Sequence, residues 1–314
     1  MEAWGQPVEL HKKMKLTNSN FVLAGSMHNL AYNKKDNRLV LWGDNSNSQL
    51  GLGHFKDMGG IISLERLVKK SKLVHCDVKC DMNAIVKEDG TAMIWPFQHF
   101  NNTTFDPLSI KLPRSQKIVT ASLGFEFVML LTSHGQLYSM GLDNVCGQLG
   151  HGDLEARLTP THISSFPPGE VIAQISCGFK HSIAKSINGK VYTWGWGERG
   201  QLGHGNNMNI PFPKKLALPK PNVTCLNVSA GYRGSYCIMD GRKMFWWGSN
   251  GQIHRQMVPI EYVNEANDEI YLKKNDYRPF KINTTWSKTI SVTYVTVADC
   301  RRLAPKKTHS AIET

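Results

Sequence analysis

The sequence predicts an all-β fold built from copies of one unit of about 54 residues. The first observation behind this prediction is a repeated motif, a Trp-Gly pair followed by a Gln-Leu-Gly turn, which is clearest over residues 194–205. Related copies begin at Trp42, Gly141 and Trp247, the last in a shortened form. The second observation is that short β-rich runs joined by tight polar turns precede each motif, as in β-hairpins. About four short strands in a unit of this size are typical of a blade of a β-propeller.

An anchor position marks the start of each predicted hairpin. The anchors, each with the residue three positions later, are Gly25 with His28, Cys80 with Asn83, Gly124 with Phe127, Gly178 with His181, Gly231 with Gly234 and Thr285 with Lys288. Successive anchors are 55, 44, 54, 53 and 54 residues apart. The short interval falls where Trp95-Pro96 is not followed by a Gln-Leu-Gly turn. Six anchors predict six blades, and seven is the alternative count.

Turns and strand edges can be placed along each unit. Glycine-containing or polar turns, which suit hairpin geometry, are predicted at residues 34–37, 88–90, 133–135, 188–189 and 240–241. Prolines that follow several units predict edge strands, since proline cannot donate to a further strand; they are Pro107, Pro160, Pro211, Pro213 and Pro259.

The two ends of the chain predict how the ring closes. Trp4-Gly5 resembles the end of a unit, whereas the last unit has no Trp-Gly pair. We therefore expect the N-terminal strand to complete the last blade, a closure that removes exposed strand edges. This assigns residues 1–300 to a single propeller domain and residues 301–314 to a short basic tail.

Composition narrows the class of protein. With 314 residues, 41% hydrophobic and 20% charged, the chain is typical of a globular protein. No apolar run reaches the roughly 18 residues of a membrane helix, and no secretory signal is visible. Seven cysteines without regular spacing do not predict a disulfide framework. We expect an intracellular protein without membrane insertion, in the cytoplasm or nucleus, with cytoskeletal or ciliary association included.

The formal net charge of +12 leaves two interpretations open. One is a lysine-rich surface that is simply solvated. The other is an acidic partner, which includes nucleic acid, chromatin or an acidic protein face.

Catalytic and metal chemistry are not expected. The histidines at 28, 151, 181 and 204 recur at equivalent positions, which predicts a structural role in bonding neighbouring blades. Trp42, Trp95, Trp194 and Trp247 close the same strand in their units and are expected to pack between blades. Cys76 and Cys80 form the one close cysteine pair, without further ligands at zinc-binding spacing. We therefore predict no enzyme activity, no cofactor and no metal.

The candidate partner-binding residues lie just after the anchors, where the units differ. They are Phe125, Glu126, Phe179, Lys180, Tyr232, Arg233 and Trp286. These are turn-tip positions on one face of the predicted disc, and clustered aromatic residues with arginine are typical of interface hot spots. The alternative is that the rings fold inward and fill the central channel.

Residues 175–182, 189–195 and 200–205 resemble the regulator of chromosome condensation (RCC) repeat family. The resemblance implies a β-propeller; the founding member of the family is a seven-bladed exchange factor for the GTPase Ran that also binds chromatin. It implies a non-enzymatic protein–protein interaction module or a scaffold subunit of a larger assembly. The alternatives are a guanine-nucleotide exchange factor for a small GTPase, or a propeller associated with chromatin or nucleic acid.

Overall fold

The structure is a computed structural model that describes residues 20–56, 59–96, 106–113, 116–219, 224–240, 243–249, 255–261, 277–284 and 290–296. Within these ranges the chain forms five four-stranded antiparallel sheets and one two-stranded hairpin. A single helical turn, α1 (Glu65–Val68), follows the first sheet. The predicted all-β fold is therefore confirmed.

The strands are numbered in chain order. The first sheet contains β1 (Asn20–Ala24), β2 (His28–Asn33), β3 (Arg38–Gly43) and β4 (Ile62–Ser63). The second contains β5 (Leu73–Lys79), β6 (Met82–Lys87), β7 (Ala92–Trp95) and β8 (Leu108–Ile110). The third contains β9 (Ile118–Leu123), β10 (Phe127–Thr132), β11 (Leu137–Gly141) and β12 (Arg157–His162). The fourth contains β13 (Ile172–Cys177), β14 (His181–Ser186), β15 (Val191–Gly195) and β16 (Ile210–Lys215). The fifth contains β17 (Cys225–Ala230), β18 (Gly234–Met239), β19 (Met244–Ser249) and β20 (Arg255–Glu261), and the hairpin contains β21 (Tyr277–Thr284) and β22 (Ile290–Thr296).

Successive sheets are packed around a common centre. The first strand of each sheet contacts the first strand of the next, from β1 through to β21. The apolar cores lie between the faces of neighbouring sheets, and their largest fully buried side chains include Trp95, Trp194 and Trp247. Within each sheet the strands pair in chain order from the centre outward. This is the blade arrangement of a β-propeller.

The hairpin turns occur where the sequence predicts them. Gly90, Gly135 and Gly189 have φ angles of +85°, +73° and +72°, a left-handed conformation that glycine adopts without a steric penalty. The carbonyl of each of these glycines also accepts a hydrogen bond from the first strand of the following sheet. The Gly135 carbonyl, for example, accepts from the Ile172 amide at 3.0 Å. The turns therefore shape their own hairpin and hold the next sheet.

Where a unit has the motif glutamine, the backbone carbonyl of that residue joins its sheet to the next. The Gln148 carbonyl accepts hydrogen bonds from Trp194 Nε1 and from Ser182 Oγ, both at 3.0 Å. The same pair of bonds is made to Gln49 by Trp95 (3.1 Å) and Asn83 (2.8 Å), and to Gln201 by Trp247 (2.9 Å) and Ser235 (2.8 Å). Three of the four predicted inter-blade tryptophans are thus confirmed, whereas Trp42 is only half-buried.

Strand register corrects one predicted anchor. Asn83 pairs with Trp95 as Ser182 pairs with Trp194, so the two residues are equivalent. Lys79 therefore occupies the position of the anchor glycine, and the prediction of Cys80 was wrong by one residue. The error arose because no glycine marks the second unit. The intervals of 55 and 44 residues become 54 and 45.

The predicted closure and blade count lie partly outside the described residues. Trp4, Gly5 and the sixth anchor at Thr285 belong to the masked ranges, as does the tail at 301–314. The sixth unit is represented by β21 and β22, of which β21 contacts β17 and β18. Among the strands that the structure describes, none pairs this hairpin with the first sheet. Closure and blade number therefore stay predictions.

Replacing Gly150 tests the motif turn, with Gly152 as a matched control. Both residues have left-handed φ angles, +84° and +91°. A Cβ atom at Gly150 would lie 2.6 Å from Trp194 Nε1, whereas one at Gly152 would meet nothing within 4 Å. Both alanine variants should lose roughly 1–2 kcal/mol from backbone strain. Gly150→Ala should lose about 1–3 kcal/mol more from overpacking. Equal losses in urea-induced unfolding would contradict this account of the motif.

Candidate functional site

Three of the candidate aromatic residues lie side by side at the tips of consecutive sheets. Phe125 follows β9, Phe179 follows β13 and Tyr232 follows β17. The ring centroids of Phe125 and Phe179 are 4.7 Å apart, and those of Phe179 and Tyr232 are 4.5 Å apart. We call these three residues the aromatic row. Each ring is half-buried, so the row packs on itself and keeps part of its surface exposed.

The repeat places these rings because the anchor residue has no side chain. A Cβ at Gly178 would overlap the ring of His181, and one at Gly124 would overlap the ring of Phe127. The glycine lets the buried ring fold under the tip, and the following residue is turned outward on the same face. The Phe125 amide donates to the Phe179 carbonyl at 2.8 Å, which holds neighbouring tips together.

Two cations flank the aromatic row. Lys180 forms an ion pair with Asp143, and its Nζ lies 5.9 Å from the ring centroids of both Phe125 and Phe179. The guanidinium carbon of Arg233 lies 5.0 Å from the Tyr232 centroid and 5.9 Å from that of Trp196. Both geometries are within the range of cation–π interactions.

The remaining candidate residues are less informative. Glu126 has a left-handed φ of +58°, is half-buried, and its backbone carbonyl accepts a hydrogen bond from the Leu142 amide at 3.1 Å. Trp286 lies outside the described residues. The structure therefore brings together six of the seven candidate residues, and their role in binding stays a prediction.

A buried lysine crosses the centre of the array. Lys79, the last residue of β5, is 6% exposed. Its Nζ donates to the carbonyl of Cys177 and, at 3.2 Å, to that of Ala230, the last residues of β13 and β17. The second sheet is thereby tied directly to the fourth and fifth. The Lys79 side chain therefore lies at the centre of the array of sheets, beside the last residues of β13 and β17.

The repeat unit matches a known family. The family model described as the regulator of chromosome condensation (RCC1) repeat matches residues 134–184 and 188–238, and a second model of that description matches residues 172–201. These ranges contain the motif turns of the third and fourth sheets and the tips that carry Phe179 and Tyr232. The chain belongs to the RCC1 repeat family.

Full-length relatives with RCC1 repeats are larger than this chain. The ultraviolet-B receptor UVR8 of Arabidopsis thaliana is 30% identical over 244 residues, which is 74% of this chain and 54% of the receptor. The probable E3 ubiquitin-protein ligase HERC3 of Homo sapiens is 31% identical over 205 residues, 62% of this chain and 19% of the ligase. The chain therefore spans about half of the first relative and a fifth of the second.

Two solved structures share the fold. Human WBSCR16 superposes with a TM-score of 0.69 at 17% identity, covering 85% of this chain and 70% of that protein. Prp20p of Saccharomyces cerevisiae superposes with a TM-score of 0.55 at 18% identity, covering 90% and 84%. At such identities the likeness concerns the fold alone.

Three residues of this face of the RCC1 repeat array were not among the predicted site residues. Cys80 lies at the tip equivalent to Phe179, because the Ser26 amide donates to its carbonyl at 3.0 Å. Burial raises the pKa of the Cys80 thiol to about 12, so this tip residue is neutral at pH 7. Asp143 and Trp196 were also missed, although each lies five residues before a motif glutamine. Aligning the units on that glutamine would have found both.

The RCC1 repeat histidines divide into two structural classes. His28 Nε2 contacts Asn83 Oδ1 at 2.9 Å and His181 Nε2 contacts Ser235 Oγ at 3.0 Å, both in the next sheet, as predicted. The same prediction was wrong for His151 and His204. They contact Ser139 and Thr193 of their own sheets, each at 2.9 Å, because the motif turn folds back on its own outer strands.

The described ranges were compared with the requirements of a metal site and of a membrane-spanning helix. No group of three or more His, Cys, Asp or Glu side chains within them is arranged to hold a metal ion. Nor does any helix found there have the length and apolar character needed to cross a membrane.

The buried histidines predict a loss of stability in mild acid. Burial lowers the pKa of His181 from 6.5 to about 3, so the unfolded chain takes up a proton first. The stabilisation is complete above pH 6.5 and decreases as the pH falls toward 3. Between pH 7 and pH 5 this one group should reduce the free energy of unfolding by about 2 kcal/mol.

Urea unfolding at the two pH values measures this effect. The difference should shrink by about 2 kcal/mol in His181→Gln, while replacement of the exposed His134 by Gln should leave it unchanged. An unchanged difference in His181→Gln would contradict the assignment.

Proposed function

We propose that the chain is a non-enzymatic protein-interaction propeller that acts as a scaffold subunit of a larger assembly. The observation that supports this proposal is the aromatic row, in which Phe125, Phe179 and Tyr232 pack in series across three consecutive tips. Partly exposed aromatic rings that are fixed by their neighbours lose little entropy when a partner covers them.

Specificity for a partner is expected at the tips, because the residues that the repeats share are buried in contacts between the sheets. Buried groups that are bonded between sheets include the motif residues Gln49, Gln148 and Gln201, the tryptophans Trp95, Trp194 and Trp247, and the anchor histidines His28 and His181. A partner cannot reach these groups without opening the array. The tip residues vary between units and lie at the surface, so they are the candidates for distinguishing one partner from another.

For the domain we propose six blades over residues 1–300, closed by an N-terminal strand, and a basic tail over 301–314. Support comes from Trp42, which is half-buried although the equivalent Trp95, Trp194 and Trp247 are fully buried under the motif turn of a preceding sheet. A last blade packed against the first sheet would cover Trp42 in the same way. We further propose a cytoplasmic or nuclear location.

A guanine-nucleotide exchange factor is the second candidate function. The observation in its favour is the fold shared with Prp20p, a protein that binds Gsp1p and histones. Nucleotide release from a panel of purified small GTPases tests it, and acceleration of none would exclude it for that panel.

Chromatin or nucleic-acid association is tested by the salt dependence of DNA retention, which should be steep if phosphates are contacted.

Truncating the centre of the aromatic row tests the proposed interaction. Phe179 contacts both other rings of the row and lies 6.3 Å from Trp196. Phe179→Ala should weaken capture of the main cellular partner by about thirtyfold, the equivalent of roughly 2 kcal/mol. Phe212, 45% exposed on the outer strand β16, provides the matched control. Affinity purification with mass spectrometry compares the two variants, and near-ultraviolet circular dichroism verifies that each is folded. Equal recovery with both would place the contact elsewhere.

A further inference from the structure

Arg233 lies at the junction of the fourth and fifth sheets without an acidic partner among the described residues. Its guanidinium lies within cation–π range of Trp196 and Tyr232, and no ion pair of the described part of the chain includes it. Its Nε atom is buried and makes no hydrogen bond there. The Nε atom of Arg199, three residues after Trp196, is buried and unbonded in the same way. We call these four residues the Arg233 junction.

The preceding junction shows what the repeat normally supplies at this place. Counting back five residues from the motif glutamine gives Asp44 in the first unit, Asp143 in the third and Trp196 in the fourth. The residue after the tip faces this position from the next sheet, and it is Lys180 opposite Asp143 and Arg233 opposite Trp196. The third and fourth sheets are therefore joined by an internal ion pair. At the Arg233 junction the carboxylate has been replaced by an indole ring.

An arginine in cation–π contact with aromatic rings remains able to bind a carboxylate. Its N–H groups lie at the edge of the planar guanidinium and donate in that plane, whereas the ring attracts the cation through the ring face. A carboxylate accepts two of them in parallel, and the bond is strengthened because both groups are charged. Trp196 and Tyr232 are both half-buried, so they would shield such a pair from water on two sides.

We propose that the Arg233 junction binds an Asp or Glu side chain of an acidic segment of a partner protein, at the place that Asp143 occupies one junction earlier. This inference rests on the proposed interaction function and names the chemistry of the partner. The aromatic row supplies the apolar part of the same contact, since Tyr232 belongs to both.

A nucleic-acid backbone fits the junction less well than a protein carboxylate. Contacts to a phosphate backbone need several cations along a groove. Here the neighbouring surface contains acidic residues: Glu198 is exposed in the same loop, and Asp143 and Glu126 lie at the adjacent junction. A phosphate backbone bears its charges at fixed spacing and would meet several of these carboxylates at once, whereas a flexible acidic peptide can place one carboxylate on Arg233 and direct the others away.

The test measures binding of a fluorescein-labelled hexaglutamate peptide to the full chain by fluorescence anisotropy at low ionic strength. Hexaglutamine is the neutral comparison. Wild type should prefer hexaglutamate, and Arg233→Gln should weaken that binding about tenfold, the equivalent of losing roughly 1.4 kcal/mol. Arg66→Gln is the matched control, because Arg66 is an exposed arginine that already pairs with Asp106 at 3.0 Å. An equal loss in both variants would mean nonspecific charge attraction and would overturn the proposal.

The variant Trp196→Asp separates a binding site from a structural effect. It rebuilds the internal ion pair of the preceding junction, so it should keep or raise the thermal midpoint while weakening hexaglutamate binding about tenfold. Undiminished binding by a folded Trp196→Asp would overturn the proposal. Tighter, Arg233-dependent binding of a single-stranded DNA oligonucleotide would also overturn it, in favour of nucleic acid. Concentration-dependent self-association that Arg233→Gln abolishes would instead identify a second copy as the source of the carboxylate and overturn the assignment to another protein.

Capture of the cellular partner distinguishes the acidic contact at Arg233 from the proposed interaction through the aromatic row. Loss of the partner with Phe179→Ala but full recovery with Arg233→Gln would reject the acidic contact and retain the proposed function. Full recovery with both variants would reject the aromatic row, the contact on which the proposed function rests.

Discussion

The architecture depends on a backbone carbonyl that, in three of the described units, accepts two hydrogen bonds from the next sheet. A carbonyl oxygen has two lone pairs, and Gln148, like its equivalents, uses both for groups that would otherwise be buried without a partner. An indole N–H and a hydroxyl or amide donor must then be presented at fixed positions on the following sheet. Because these groups are buried, misplacing a sheet would leave several polar atoms unpaired, at a cost of about 1–3 kcal/mol each.

The junction between the second and third sheets shows that these residues are lost together. The second unit has no Gln-Leu-Gly turn, and the third sheet has Met140 at the tryptophan position and Val128 at the donor position. Both side chains are buried in an apolar core. A polar bond nearer the centre is kept: Asp77 Oδ2 accepts from the Leu123 amide at 2.8 Å, as Ser122 Oγ accepts from the Cys177 amide at 3.1 Å at the next junction. A missing acceptor has therefore removed the need for both donors.

The proposed partner-binding surface consists of tip residues that lie above these buried bonds. Since most bonds between the sheets are made by buried groups below the tips, the tip side chains can differ from unit to unit. Their charges differ as well, with Asp81 at the second tip, Lys180 at the fourth and Arg233 at the fifth. The tip charges thus change from acidic to basic along the described sheets, while the bonds between the sheets stay similar.

The sequence by itself determined the all-β class, the period, the hairpin turns and the aromatic tips, because glycine turns and repeated motifs are local signals. Only the tertiary structure showed that Lys79 rather than Cys80 is the second anchor, since that equivalence depends on pairing with Trp95 across the sheet. The separate roles of His28 and His151 likewise depend on which neighbour each ring reaches. Contacts between residues far apart in the chain, such as Asp143 with Lys180 or Lys79 with the Cys177 carbonyl, cannot be predicted from local sequence patterns. They arise only when the sheets are packed around a common centre.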